Sequence, residues 1–114
     1  MQRIQEILIL TNKGARHTIH IIKPNERTSF RAEIVVFDPD LNASYSSQVP
    51  ISGSYKSSSE AFDVAFTWVV GWLQVKGLTV SKINNPCNTE FLSVADQQAI
   101  VSKHGVQANV EINA

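Results

Sequence analysis

The sequence predicts an α+β fold, in which a mainly antiparallel sheet of about four to six strands packs on one long helix at residues 58–76. A second short helix is predicted near residues 93–104. Three observations support this. Short apolar runs of strand type, separated by turn residues, fill the first half of the chain. A long segment of helical period follows them, and shorter patterns of strand and helix alternate after it. The short connections between the early strands favour antiparallel pairing.

Three strands are predicted before residue 38. Residues 3–10 (RIQEILIL) and residues 16–23 (RHTIHIIK) are separated by a turn. Residues 30–37 (FRAEIVVF) place every second side chain on one face, with Arg31 and Glu33 on the other. A weaker fourth strand covers residues 45–55. Its Pro50 favours either an edge strand or a broken strand, because proline cannot donate a hydrogen bond to a neighbouring strand.

The rest of the chain predicts a helix, a strand, a helix and a strand. The long helix begins at a capping box formed by Ser57 and Glu60, and Gly77 is suited to the position just after its end. The elements predicted after it are a strand at residues 78–83, a helix that begins at Ser93 and runs to Gly105, and an alternating strand at residues 106–112.

Length and composition predict a single globular domain over residues 1–114, with 43% hydrophobic and 18% charged residues. The formal net charge is zero, which argues against a protein whose main task is to bind nucleic-acid phosphates. The charge is unevenly distributed. Residues 1–31 contain six basic and two acidic residues, a balance of +4, whereas residues 32–63 contain one and five, a balance of −4.

The lone cysteine, Cys87, excludes an internal disulfide and a cysteine-rich zinc site. The N-terminal residues have neither the apolar run nor the cleavage site of a signal peptide. No run approaches the roughly 18 apolar residues of a membrane span. A cytoplasmic protein with no membrane contact is therefore predicted.

The long helix is apolar around more of its circumference than one sheet can cover. One face, centred on Phe62 and Phe66, is enough to pack on the sheet, and a second apolar stripe adjoins it. Together they span an arc of about 240°, compared with roughly 100° or more for a helix covered on one face. The residues of this second stripe that are predicted to form an interface, here called the tryptophan stripe, are Val64, Trp68, Trp72 and Val75.

Two large aromatic side chains are poorly placed in water, so the tryptophan stripe is predicted to be mostly buried. Three covers remain open. The first is the chain's own C-terminal half, including Phe91 and the helix after Ser93. The second is another copy of the chain, in a homodimer. The third is an unidentified protein partner or ligand.

Catalytic, metal and cofactor sites are not predicted. His17 and His20 are three residues apart on a strand, so their rings diverge to opposite faces. Residues 38–49 resemble a calcium-binding loop in Asp38, Asp40 and Asn42, but Ala43 and Val49 stand where glycine and a bidentate glutamate are required.

Two further residues with reactive or polar side chains are given ordinary roles. Cys87 lies in a polar loop without a neighbouring base, which indicates an incidental thiol. His104, at the end of the second helix, is expected to cap backbone carbonyls.

The favoured function is therefore that of a small non-catalytic protein that acts through protein–protein association, as a regulatory or adaptor-type homodimer. Two alternatives stay open. One is a small-ligand binder or enzyme whose site is assembled from loops. The other is a single-stranded nucleic-acid-binding module that uses the basic N-terminal part of the sheet.

For the nucleic-acid alternative, the candidate contacts are Arg3, His20 and Arg31, with Tyr45 or Tyr55 for base stacking. A sheet followed by a long helix resembles, in topology, the single-strand-binding transcriptional regulators. In those proteins a four-stranded sheet binds the nucleic-acid backbone and the helix forms the dimer. The resemblance is one of fold alone and implies no particular residue role.

Overall fold

The computed structural model describes residues 3–24, 29–39, 47–86 and 92–112. They form six strands and two helices in an α+β fold, as predicted. In chain order the elements are β1 (Arg3–Thr11), β2 (Arg16–Lys23), β3 (Phe30–Phe37), β4 (Ser47–Tyr55), α1 (Ser58–Lys76), β5 (Val80–Asn85), α2 (Val94–Lys103) and β6 (Val110–Ile112).

All six strands belong to one sheet with the order β4-β3-β2-β1-β5-β6. The pairs from β4 to β5 are antiparallel, and only β5 and β6 run parallel, with α2 as the connection between them. β4 is an edge strand, which is one of the two alternatives predicted from Pro50. That the sheet and both helices form a single domain over residues 1–114 stays a prediction.

α1 begins and ends at the predicted capping residues. The hydroxyl of Ser57 accepts a hydrogen bond from the backbone N–H of Glu60. Gly77 adopts a left-handed conformation with φ of 70°, and the N–H of Leu78 donates to the carbonyl of Leu73, which closes the last turn. These caps satisfy backbone groups that the helix leaves unpaired at its two ends.

The buried side of α1 packs on the inner face of the sheet. Phe62 and Phe66 are fully buried and stacked, with ring centroids 5.5 Å apart. The inner-face positions of β1, β2 and β3 alternate with outward-facing ones, as the period of a strand requires. The apolar inner-face residues of these strands that form the core with α1 are Ile7, Ile9, Ile19, Ile21, Ala32, Ile34 and Val36.

Two buried amide side chains meet at Leu92, just before α2, and one of them belongs to β1. The side chain of Gln5 both donates to the carbonyl of Leu92, at 3.1 Å, and accepts from its N–H, at 2.9 Å. The amide of Gln97, in α2, donates to the same carbonyl at 3.0 Å. The chain that enters α2 is therefore held against the middle of the sheet.

β6 is shorter than the alternation of residues 106–112 predicts. The side chain of Gln98, in α2, donates to the carbonyl of Ala108 and accepts from the N–H of Val110. The carbonyl of Asn109 accepts from Ile83 of β5. Because the backbone of residues 106–109 bonds in part to a helix side chain, regular strand pairing begins only at Val110.

Candidate interaction surfaces

The fold divides the tryptophan stripe into a partly buried and an exposed part. Trp68 and Trp72 are partly buried and pack against the core. Val64 and Val75 remain 37% and 86% exposed. Beside the indoles lies a shallow groove of about 380 Å³ that also includes Gly71. The prediction of an interface at these residues stays a prediction.

The C-terminal helix lies on the other side of α1, and this corrects the first of the three predicted covers. Asp63 forms ion pairs with Lys103 and His104, and the ring of His104 contacts that of Phe66 at 5.5 Å. These α1 residues lie about 140° or more around the helix from Trp68, since each residue advances by about 100°. Phe91, expected in the same cover, lies outside the described residues.

The group beneath the two indoles is His17 of β2. Its ring is fully buried, 4.6 Å from the ring of Trp72 and 6.3 Å from that of Trp68, edge-on to both. Neither ring nitrogen has a hydrogen-bond partner among the described residues. Burial lowers the pKa of His17 to about 4, against the opposing attraction of Asp38. At neutral pH this side chain is therefore an uncharged imidazole in an apolar site.

Two charged residues complete this end of the molecule. The carboxylate of Asp38, just after β3, lies 3.3 Å from the ammonium group of Lys76 in the last turn of α1. The same ammonium lies 5.4 Å from the ring centroid of Trp72, within the range of a cation–π contact. His17, Asp38, Lys76 and Trp72 thus form one cluster, here called the His17 cluster.

The outer face of the sheet, which points away from α1, carries apolar side chains at several positions of β1 and β3 and at Ile22 of β2. Both helices pack on the inner face, and no described element lies over the outer one. Antiparallel sheets of this kind commonly present polar side chains to water on their open face. Here the outward-facing apolar side chains are Ile4, Leu8, Leu10, Ile22, Val35 and Phe37.

A polar row crosses the middle of this outer face. The imidazole of His20 lies between two carboxylates, with Nε2 3.1 Å from Glu6 and Nδ1 3.1 Å from Glu33. An ionised carboxylate only accepts hydrogen bonds, so both contacts are satisfied together when the ring carries two N–H groups. The two flanking carboxylates would repel phosphate. The contacts of His20 therefore weigh against its predicted role in binding nucleic acid.

Of the remaining predicted nucleic-acid contacts, only Arg31 and Tyr55 have side chains in the described part of the chain. Arg31 is exposed on the outer face, across from Ile22. The backbone of Arg3 pairs with Lys23 at the start of β1, and its side chain is outside the described part of the chain. Tyr55 donates a hydrogen bond to the carbonyl of Ser52. Tyr45 lies outside the described residues, as do Cys87 and most of the calcium-like segment.

His104 is at the predicted helix end, but its side chain does not cap α2. The imidazole Nε2 lies 2.6 Å from Asp63 and 3.4 Å from the hydroxyl of Thr67. Burial raises the pKa of Asp63, but hydrogen bonds from Lys103 and His104 outweigh this effect and hold it below its usual value. The Thr67 hydroxyl donates to a backbone carbonyl. Since one ring nitrogen contacts both side chains, this is not a nucleophile–base–acid relay.

A cavity of about 480 Å³ adjoins His104 and lies between the end of α1 and residues 104–107. Leu73 and Val106 contribute apolar walls, and Gln74 and Gln107 contribute polar groups. Its volume is in the range of small-ligand sites. Its polar groups do not define a ligand class, and the ligand-binding alternative stays untested.

Comparison of the chain with protein-family models, with curated protein sequences and with solved structures gives no match. Within the described ranges, neither helix combines the length and the hydropathy that a membrane crossing requires.

Sequence reasoning identified the stripe on α1 but missed two features. The first is the outer sheet face: the runs ILIL and IVVF place apolar residues on both faces of β1 and β3, and a search for one alternating apolar face does not detect the second. The buried role of His17 was missed because the pattern shows that two histidines diverge, but not which of them faces the helix.

Proposed function

We propose that the protein acts through self-association, as a homodimer in which the outer faces of two sheets pack together. The observation that supports this most directly is the apolar character of the outer face. Leu8 and Leu10 of β1 lie in register with Val35 and Phe37 of β3, with Thr18 and Arg16 of β2 between them. No covering layer lies over them among the described residues. Packing two such faces would remove this apolar surface from water.

The size of the face supports the proposal. Strands of eight or nine residues, from β4 to β1, make up this part of the sheet. At about 4.8 Å between strands and about 3.3 Å per residue, four such strands cover roughly 500 Å² before side-chain relief is added. Two copies then contribute about 1,000 Å², which is the lower bound for a specific interface.

The charges on the face also permit two copies to meet. The positive charges of Arg16 and Arg31 are balanced by the negative charges of Glu6 and Glu33 on the same face of the sheet. A two-fold axis can place an arginine of one copy opposite a glutamate of the other. The guanidinium of Arg16 lies 4.5 Å from the ring centroid of Phe37, so its charge is already positioned beside an apolar side chain.

Such a homodimer agrees with the regulatory or adaptor role and the cytoplasmic location that the sequence predicts, without an enzymatic activity. The tryptophan stripe is the competing dimer surface. It is narrower, because it runs along one helix, whereas the outer face extends over several strands. Its two indoles also pack partly against the core.

Light scattering coupled to size-exclusion chromatography tests the proposal and separates the two surfaces. We expect the wild-type protein in solution to have twice the chain mass of 12.6 kDa. Val35→Lys places a charge among the apolar side chains of the outer face and should yield a folded monomer, because a charge buried without a partner in the dimer is costly. The matched control, Val75→Lys, changes a residue that is 86% exposed on the stripe and should remain dimeric.

The reverse pattern, with Val75→Lys monomeric and Val35→Lys dimeric, would assign the dimer to the tryptophan stripe instead. A wild-type monomer at high micromolar concentration would reject self-association altogether. Far-UV circular dichroism of each variant establishes that the change in mass is not a consequence of unfolding.

A further inference from the structure

The His17 cluster combines three features that do not occur together at an ordinary core position. The imidazole is fully buried. Both of its nitrogens are without a hydrogen-bond partner among the described residues. Its edge contacts the indole of Trp72, at 4.6 Å between ring centroids. A leucine or phenylalanine would fill the same space without an unsatisfied polar atom.

The surroundings of His17 are apolar on three sides and charged on one. Its neighbours across β2 are Ile9 of β1 and Val36 of β3. From α1, the indoles of Trp68 and Trp72 contact it. In the described part of the chain, the charged groups of the cluster are Asp38, after β3, and Lys76 of α1, which are paired with each other.

We propose that protonation of His17 in mild acid breaks its contact with Trp72 and exposes the Trp68–Trp72 side of α1 to solvent, while the sheet stays folded. The imidazolium ring cannot remain in an apolar site without a partner. It is attracted to the carboxylate of Asp38, which now faces Lys76. The ammonium group of Lys76 also lies 5.4 Å from the ring centroid of Trp72. The contacts of this indole with His17 and with Lys76 therefore change together.

The pH range of the change follows from burial. When the contact is closed, the pKa of His17 is about 4, whereas an opened, hydrated ring titrates near 6.5. Between these two values, each unit of acidification multiplies the ratio of open to closed molecules by about ten. The response is graded, and it is reversible because no covalent bond changes.

Intrinsic tryptophan fluorescence measures this directly, since Trp68 and Trp72 are the only tryptophans in the chain. On acidification of the full-length protein from pH 6.5 to pH 4, we expect a red shift of the emission and stronger acrylamide quenching. Far-UV circular dichroism should stay constant over the same range. His17→Phe retains an aromatic ring against Trp72 and should show neither change.

The matched control is His20→Gln, on the same strand but on the opposite face of the sheet. It should respond to acid as the wild type does. Constant wild-type fluorescence, an equal shift in His17→Phe, or a loss of circular dichroism with the same midpoint would each overturn the proposal.

A second measurement keeps the test independent of how well the variants fold. NMR titration of the His17 imidazole in the wild-type protein should give the midpoint of the fluorescence change. If the ring titrates at a different pH from that change, His17 does not control the exposure of the indoles.

Discussion

At the scale of single residues, Gln5 and His17 are both buried polar side chains, but they differ in their hydrogen bonding. Gln5 exchanges two hydrogen bonds with the backbone of Leu92. The nitrogens of His17 have none among the described residues. A buried amide with hydrogen-bond partners helps to specify one arrangement of the core, whereas a buried polar group without partners lowers stability by roughly 1–3 kcal/mol. The two residues therefore have different expected effects on stability.

The stability of the wild-type protein should decrease in acid because of His17. The unfolded chain binds the proton near pH 6.5, whereas the closed folded state does not bind it until about pH 4. The contribution of this residue to the unfolding free energy is constant above about pH 6.5. It falls as the pH drops from about 6.5 to about 4, by at most on the order of 3 kcal/mol. Urea denaturation of His17→Leu should lack this component, and a wild-type slope in the variant would contradict the assignment.

Replacement of Gln5 by leucine should lower the unfolding free energy by about 1–3 kcal/mol, because the buried N–H of Leu92 would lose its partner. Urea denaturation at neutral pH measures the loss. Gln107→Leu, at an exposed position, provides the control and should change stability by about 0.5 kcal/mol or less. Equal effects of the two substitutions would show that the contact between Gln5 and Leu92 is not specific.

At the scale of elements, the two ends of α1 are fixed by local contacts, whereas the burial of its faces is not. Ser57 and Gly77 fix where the helix begins and ends through local hydrogen bonds. Its apolar arc, in contrast, is shared among the sheet, the end of α2 and solvent. Local chemistry thus specifies the element, and its neighbours decide which of its side chains are covered.

Two glycines of this region should respond to alanine in opposite directions. Gly77→Ala should cost about 1 kcal/mol, because φ at this position is +70° and an L-residue is strained there. Gly71→Ala, in mid-helix with open space around the added Cβ, should stabilise the protein by up to about 1 kcal/mol. Thermal and urea denaturation of both variants test this. Destabilisation by Gly71→Ala would indicate that another chain approaches the helix closely at the tryptophan stripe.

At the scale of the whole molecule, charge and surface together favour association with protein over nucleic acid. The net charge is zero, and carboxylates flank His20 in the middle of the open face. The same face offers apolar side chains on three strands. These properties match a protein interface better than a phosphate-binding groove.

We accordingly expect no specific affinity for single-stranded oligonucleotides in fluorescence anisotropy titrations at physiological salt. An affinity in the low micromolar range that weakens as salt is added would contradict this expectation and favour the nucleic-acid alternative. In that case, Arg3→Glu combined with Arg31→Glu should abolish binding, whereas Lys82→Glu, whose side chain is already paired with Glu111, should have a smaller effect.

The amino-acid sequence by itself determined the order of the elements and the ends of both helices, and it limited β4 to an edge strand or a broken strand. These features depend on local signals: the period of apolar residues, the capping side chains and the geometry of proline. It also determined that α1 is too apolar for one covered face. Residues a few positions apart in the chain were enough for each of these conclusions.

The tertiary structure alone decided what lies against each surface. It placed His17 beneath the indoles, α2 on the Asp63 side of α1, and the apolar residues of β1 and β3 on an open face. Each of these arrangements joins residues that are far apart in the chain, such as Asp63 with Lys103 and Gln5 with Leu92. Periodicity shows that a strand has two faces, but the packing of the other elements determines which face is buried, and that packing depends on the whole chain at once.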